Sequence, residues 1–561
     1  MLFFFQHFII FLQIFFLCLF LIISGFLLKF FLLDLHDTDN YAENGLIGFV
    51  LIGFISLSIN FFYPLNILTN NISFLIIFLL GIKYNFFKLN IRKLFKRIFL
   101  ISILPFCYLI YSNVNTPDAF LYHLPYSKII NEDKIIIGLT NLHSRFGHIS
   151  IFQYISSFFV NSIFGINGIL IPVTLVPVFF FLFCYKKFKE YYKKDKTRLN
   201  SYLIFLILII SIYSFSRYSG WGNDAQVHIY YFLSTIFFLQ IITDQNNSIL
   251  FYKLLIFSIF TFFMKPFYLI TMFMPLIFFI KSPEKIKILK SNVTIFLLLF
   301  FILWLTKNFL VSSCLLYPIN FTCFENISWY NPNTSQIAFE GEIWAKDWVN
   351  NKNNSIGLSV YLQNFNWVET WFNHHFKIIL EKISPVIIFL LINIFIFFFK
   401  ETLIKKSLKD INFFMIALLL INFLGCLIWF LKFPIFRYGL SYLYSLIIFI
   451  FYFILFRNIQ WNKSASLFSL FLAIIYLGLF GVLTKNIIRI YKTKNTSVLP
   501  LIYDKNLNGE VVKYFNNEGV FIHYKNPYGL CGYSKSPCTL IDTNIKKEEK
   551  FGYTIFKKIN R

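Results

Sequence analysis

Directly after the apolar run RIFLISILPFCYLIYS (97–112) comes NTPDAFLYHLP (115–125), which sets a carboxylate, a phenol and an imidazole close together as Asp118, Tyr122 and His123. A carboxylate held ionised and oriented by such neighbours can take a proton as a general base. The competing reading is a helix cap, the commonest structural use of an Asp at such a place. More polar groups stand where apolar runs end: His143, Arg145 and His148 in NLHSRFGHIS, Arg217 and Asp224 in SRYSGWGNDAQVH, Lys265 in FFMKPFYL, Lys307 in WLTKNFL, and Lys432 and Arg437 in LKFPIFRYG. Ionised groups at a membrane boundary are costly, so they are usually paired or functional. Cations outnumber carboxylates in this set, which suits an anionic ligand such as a phosphate. Asp224 is the second carboxylate; it can orient an acceptor, or cap the helix it opens. Arg217, Lys307 and Lys432 can also simply snorkel. The adjacent pair His374-His375 has no third ligand nearby in sequence, and no CxxC-type spacing occurs, so no metal site is assigned.

The elements that must carry these residues are membrane helices. The chain has 561 residues, 58% of them hydrophobic and 14% charged, with a mean hydropathy of +0.67. Apolar runs long enough to cross hydrocarbon recur along nearly its whole length, about fourteen of them. The net charge of +25 does not indicate nucleic acid, because the basic residues cluster in short loops between apolar runs, where they act as topology signals. The richness in Phe, Ile, Lys, Asn and Tyr is that of an AT-rich genome. The N-terminal run lacks a basic start and a small-residue cleavage site, and reads as a retained span.

The basic loops 83–97, 185–198, 281–290 and 400–410 fall on the cytoplasmic side by the positive-inside rule. The segments alternating with them face outward: 113–165, 216–225, the Lys265-Pro266 break, a long loop 312–383, the turn 432–437 and the tail 485–561, which contains a strand in GVFIHY. For this topology to hold, HISIFQYISSFFVNSIFG (148–165) must be an interfacial helix on the outer leaflet rather than a span. Three parts result: N-terminal helices 1–96, a membrane core 97–484 with external loops 113–165 and 312–383, and a small C-terminal extracytoplasmic α/β domain 485–561. Of eight cysteines, Cys18, Cys107, Cys184 and Cys426 sit in apolar runs. Cys314 and Cys323 share one external loop and Cys531 and Cys538 the tail, so two local disulfides are expected in an oxidising compartment.

An Asp right after a core helix, a long outer loop and a run of further spans resemble the GT-C superfamily of membrane glycosyltransferases, which includes the protein O-mannosyltransferases and the lipid A aminoarabinose transferase. The chain is most similar to an uncharacterised bacterial multispanning family near that group. The stretches that carry the likeness are PDAFLYHLPYSKIINEDKIIIGLTNLHSRFGHIS (117–150), TKNFLVSSCLLYPI (306–319), ISWYNP (327–332), KFPIFRYG (432–439) and CGYSKSPCT (531–539). The resemblance implies an all-α polytopic protein in a bacterial inner (plasma) membrane. Its site would face the exterior and move a sugar from a polyprenyl-phosphate donor to a glycan, lipid or protein acceptor. It makes Asp118 the catalytic carboxylate and Lys265 and Arg437 the phosphate ligands, and it admits a divalent cation. Tyr122, His123, His143, Arg145 and Asp224 complete the substrate-binding candidates. Ala119 follows Asp118, where many members of the superfamily pair two acidic residues. Two alternatives share the outline: a Wzy-type polysaccharide polymerase, and a non-enzymatic flippase or transporter for lipid-linked glycans.

Overall fold

The computed structural model describes residues 2–84, 86, 91–108, 118–148, 150–193, 198–215, 224–244, 247–351, 357–400, 413–458, 465–492, 510–514, 522–525, 531–533, 535–539 and 545–559. The apolar runs become α-helices. Among the described residues eight are long and apolar enough to cross a membrane: 7–33, 41–62, 171–193, 224–243, 292–312, 413–432, 436–453 and 468–488. Shorter apolar helices occupy 67–83, 200–214, 248–264 and 266–281. The protein is an all-α membrane protein with little sheet.

Helix association in such a bundle relies on close backbone approach at small residues. The first two helices, Leu2–Leu33 and Tyr41–Phe62, show this. A Cβ on Gly25 would collide with the Asn44 carbonyl, and one on Gly48 with the Leu21 carbonyl. Beside the Gly25–Asn44 contact, buried Glu43 lies 2.5 Å from Lys253 and 3.7 Å from Lys29. Charge compensation of this kind is what makes ionised groups tolerable at that depth.

Asparagine amides fasten the segment 119–160 to the bundle. Asn70 donates from Nδ2 to the carbonyls of Leu65, Ser157 and Val160, and Asn131 to those of Leu65 and Ser157. Asn60 reaches the Asp133 carbonyl at 3.0 Å. The helix expected across 148–165 is Ile151–Phe158 alone, and every one of its residues is buried. It is wedged inside the protein against the helices Tyr41–Phe62 and Leu124–Glu132 rather than laid on the leaflet. Ser150 and Gln153 form its cap, Gln153 also reaches the His123 ring, and Ser157 donates to the Ser127 carbonyl.

The region 312–383 is not a plain loop. It holds the helix Thr334–Ala345, and the helix Trp367–Lys400 begins well ahead of the expected span. Charged and amide residues in ETWFNHHFKIILEK lower the hydropathy there without breaking helical propensity. Likewise the last helix, Ala465–Lys492, runs past residue 484, so the boundary drawn there falls inside a helix.

Beyond that helix are two antiparallel hairpins, Glu510–Tyr514 with Ile522–Lys525 and Ile545–Lys550 with Tyr553–Lys558. The strand expected in GVFIHY is the Ile522–Lys525 one. The second hairpin is joined by Ile137, whose N–H donates to the Thr554 carbonyl while its own carbonyl accepts from Phe556 N–H. Cys531 is bonded to Cys538, and that loop sits on the segment 131–133: Tyr533 Oη lies 3.0 Å from Asn131 Oδ1, and Ser536 donates to both Glu132 and Asp133 at 2.7 Å. Cys314 is bonded to Cys323. Cys18 and Cys184 are buried and Cys426 is half-buried. Arg217 and the side chain of Cys107 lie outside the described residues.

Candidate functional site

Proline shapes the element that carries the first carboxylate. Pro125 has no N–H for the carbonyl one helical turn back, and its ring crowds that carbonyl. The backbone widens to a π-helical turn, Ala119–His123, in which Leu124 N–H donates to the Ala119 carbonyl. Asp118 opens this turn and is half-buried. Among the described residues it has no ion-pair partner within 4 Å, which leaves its oxygens available. Tyr122 and His123 close the turn, with Arg145 5.8 Å from the centre of the Tyr122 ring.

Proline also sets Lys265. The residue before a proline is pushed out of the α region, and Lys265 (φ −154°, ψ 109°) ends the helix Ser248–Met264 there. Its Nζ lies 2.6 Å from Asp224 Oδ1 and 3.8 Å from the centre of the Tyr438 ring. Asp224 stands in the first turn of the helix Asp224–Thr243, where the helix dipole favours an anion. Arg437, second residue of the helix Phe436–Asn458, places Nε 3.9 Å from Asp224 Oδ2 and donates from Nη2 to Tyr438 Oη at 3.1 Å. One carboxylate thus sits between two cations.

A buried hydrogen-bonded knot fixes those helix starts. His228 Nε2 is 2.8 Å from the Arg437 carbonyl, which can only accept, so Nε2 carries the proton. Tyr268 Oη, 2.9 Å from Nδ1, gives its single proton to the Tyr438 carbonyl, so Nδ1 accepts from Ser441 Oγ at 3.0 Å. Sequence reasoning missed His228, Tyr268, Ser441 and Tyr438. They lie in aromatic, apolar runs with no local signature.

His123 shows how these parts converge. Burial first, opposed by the charges of Asp118 and Asp224 and assisted by those of Arg437 and Lys265, pushes its imidazole down to about 4. Four charged groups from four separate elements therefore act on one ring. Burial also raises the Tyr122 phenol well above its ordinary value, with Asp118 adding to the rise and Arg145 and Arg437 opposing it. A capping box sets the His123 tautomer. Gln153 Oε1 accepts from Ser150 N–H, so its Nε2 must be the atom 3.0 Å from His123 Nδ1. Nδ1 accepts and Nε2 holds the proton of the neutral ring.

Other candidates have local roles. His143 Nδ1 accepts from Arg145 N–H and caps the turn Ser144–Gly147; burial and then Arg145 push it down to about 4. Lys307 is buried and donates to Asn308, and Lys432 pairs with Glu342 at 3.1 Å. His374 and His375 both approach Asp347, at 2.9 Å and 3.9 Å. Among the described residues no three His, Cys, Asp or Glu side chains gather to hold a metal ion. At the helix ends that carry Asp118, Asp224, Lys265 and Arg437, here called the mouth, one carboxylate is engaged by two cations and the other has no ion-pair partner among the described residues. That donor set does not fit a divalent cation.

No curated protein and no solved structure matches the chain. A family model, described as a domain of unknown function (DUF8201), matches residues 7–444, a span that includes every charged residue of the mouth. The chain belongs to that family.

Proposed function

We propose that the protein is a GT-C-like membrane glycosyltransferase. It moves a sugar from a polyprenyl-phosphate donor to an acceptor at the outer face of a bacterial plasma membrane. In this reading about fourteen helices cross the bilayer, and the hairpins after residue 492 form an extracytoplasmic cap. The basic loops lie on the cytoplasmic side and the mouth on the other. What supports the reading most is the cluster in which Lys265 Nζ at 2.6 Å and Arg437 Nε at 3.9 Å share the Asp224 carboxylate, with Asp118 near enough for its charge to act on both His123 and Arg437.

The prenyl tail lies in lipid and the phosphate meets Lys265 and Arg437, which turn from Asp224 toward it. The acceptor hydroxyl gives its proton to Asp118 as its oxygen attacks the anomeric carbon. The bond from that carbon to the phosphate oxygen breaks, and the electron pair leaves on the phosphate, where the two cations stabilise it. The product is inverted at the anomeric carbon. Asp224 holds the cations together between turnovers.

Polyprenyl phosphate binding by the purified protein in nanodiscs, read by native mass spectrometry, tests the phosphate assignment. Lys265→Ala and Arg437→Ala are expected to lose bound lipid phosphate, and Lys432→Ala to retain it. Equal occupancy in all three variants removes the assignment.

A further inference from the structure

The loop closed by the Cys314–Cys323 bond presents apolar side chains outward where most proteins hide them. Phe321 is 90% exposed, Phe324 49% and Ile319 41%. Between Lys307 and Glu325 there is no charged residue. An exposed apolar tip on an uncharged, cross-linked loop needs an occupant.

Two observations identify it. The first is continuity with a lipid-facing surface. The preceding helix, Asn292–Ser312, exposes Ile295, Leu298, Leu299 and Ile302, and Thr306 extends that row. These positions share one helix face, and on a membrane-crossing helix an exposed apolar face meets acyl chains. One turn further, Phe309 packs edge-on against Phe324 with ring centres 5.4 Å apart. The apolar row therefore passes from helix to loop without a polar gap at that joint. The second is that much of the loop's backbone is satisfied internally. Leu315 N–H donates to the Thr322 carbonyl, Leu316 N–H to Thr322 Oγ1, Ile319 N–H to the Leu316 carbonyl, Thr322 N–H to Ile319, Cys323 N–H to Asn320 and Phe324 N–H to Ser313. A loop that left these groups to water could not approach hydrocarbon, where an unpaired N–H has no partner. The polar boundary is also present: Tyr330 Oη lies 3.2 Å from Asn320 Oδ1 and 3.4 Å from Glu325 Oε1, the arrangement of a headgroup-level tyrosine.

We infer that the disulfide-closed loop Cys314–Cys323 is a membrane-anchoring finger whose tip, Ile319 and Phe321, rests in the lipid of the leaflet at the mouth end of the bundle. The occupant is bilayer, not a soluble protein. Its role is to hold the region after residue 312 at a fixed depth, and it stands whether or not the chain transfers sugar.

The test uses the full-length protein in nanodiscs. Phe321→Cys and, as a control on a charged helix face, Glu340→Cys are each labelled with an environment-sensitive nitrobenzoxadiazole dye. Lipids carrying a shallow doxyl group are expected to quench the dye at 321 and leave that at 340 unchanged, with the reverse ranking for aqueous iodide. Iodide quenching at 321 with no doxyl effect overturns the inference. Because a new thiol could disturb the neighbouring disulfide, a benzophenone-bearing phenylalanine at 321 gives a second reading. Photoadducts with lipid support the finger; adducts confined to another polypeptide overturn it.

Discussion

Lys265 Nζ lies 2.6 Å from Asp224 Oδ1, an ion pair that joins the end of one apolar helix to the start of another. Arg437 approaches the second oxygen of the same carboxylate at 3.9 Å. The mouth is thereby held as a loaded arrangement, two cations sharing one anion. In the proposed reading, a phosphate arriving there meets cations already in place rather than cations gathered from solvent, which lowers the reorganisation its binding requires.

The pair should be measurable as a coupling. Asp224→Asn leaves Lys265 without its carboxylate and is expected to cost about 1.5–3 kcal/mol, the usual range for a hydrogen bond to a charged group. Lys265→Met alone should cost a similar amount. The double variant should cost clearly less than the sum. Denaturation in detergent checks this, and strict additivity would mean the two side chains do not interact.

Acid should weaken the mouth through two imidazoles. His123 and His143 are each pushed down to about 4 from 6.5, both chiefly by burial. The unfolded chain therefore takes protons first as pH falls. Their contribution to stability is complete above pH 6.5 and is lost as pH drops from 6.5 toward about 4. The melting temperature should fall over that window in the parent protein and fall less in His123→Gln and His143→Gln. An identical pH dependence in all three contradicts the assignment.

Gln153 offers a sharper handle on His123. Gln153→Glu replaces the donor 3.0 Å from Nδ1 by a carboxylate, which favours the imidazolium. The His123 titration, followed by NMR of labelled histidine, should move upward. Gln153→Leu should instead leave the ring neutral and remove the cap, at about 1 kcal/mol.

The tail hairpin and its cross-link brace the segment behind the mouth. The Cys531–Cys538 loop is short, with a separation of 7 residues, so the chain-entropy model gives it only about 2–3 kcal/mol. Its larger effect should be local. In Cys531→Ser/Cys538→Ser, amide exchange at residues 131–142 should rise while the helix Asn292–Ser312 stays protected. Unchanged exchange at 131–142 would show that the contacts from Tyr533 and Ser536 do not hold that segment.

Much of this was legible in the chain because hydrocarbon imposes a simple rule. A span needs a long apolar run, and helix ends collect prolines and charges; Asp118, Lys265 and Arg437 stand out for that reason. The helix Ile151–Phe158 reads as amphipathic, but its polar face meets protein carbonyls rather than water, a distinction no periodicity carries. The early start at Trp367 is hidden because hydropathy measures contact with lipid, whereas the helix continues outside it. His228, Tyr268 and Ser441 come from three separate runs and have meaning only through their mutual hydrogen bonds. Gln153 reads as a cap residue, and its second bond, to His123, depends on packing.

The most direct measurement is the release of polyprenyl phosphate by purified protein given a panel of polyprenyl-phosphate hexoses and pentoses with an acceptor glycan. The parent protein is expected to cleave one of these donors. Asp118→Asn should bind it equally well and turn over about 10²–10⁴-fold more slowly, the usual effect of removing a general base. Parental turnover in Asp118→Asn would contradict it, as would a parent protein that carries the intact lipid-linked sugar across the bilayer with no bond broken.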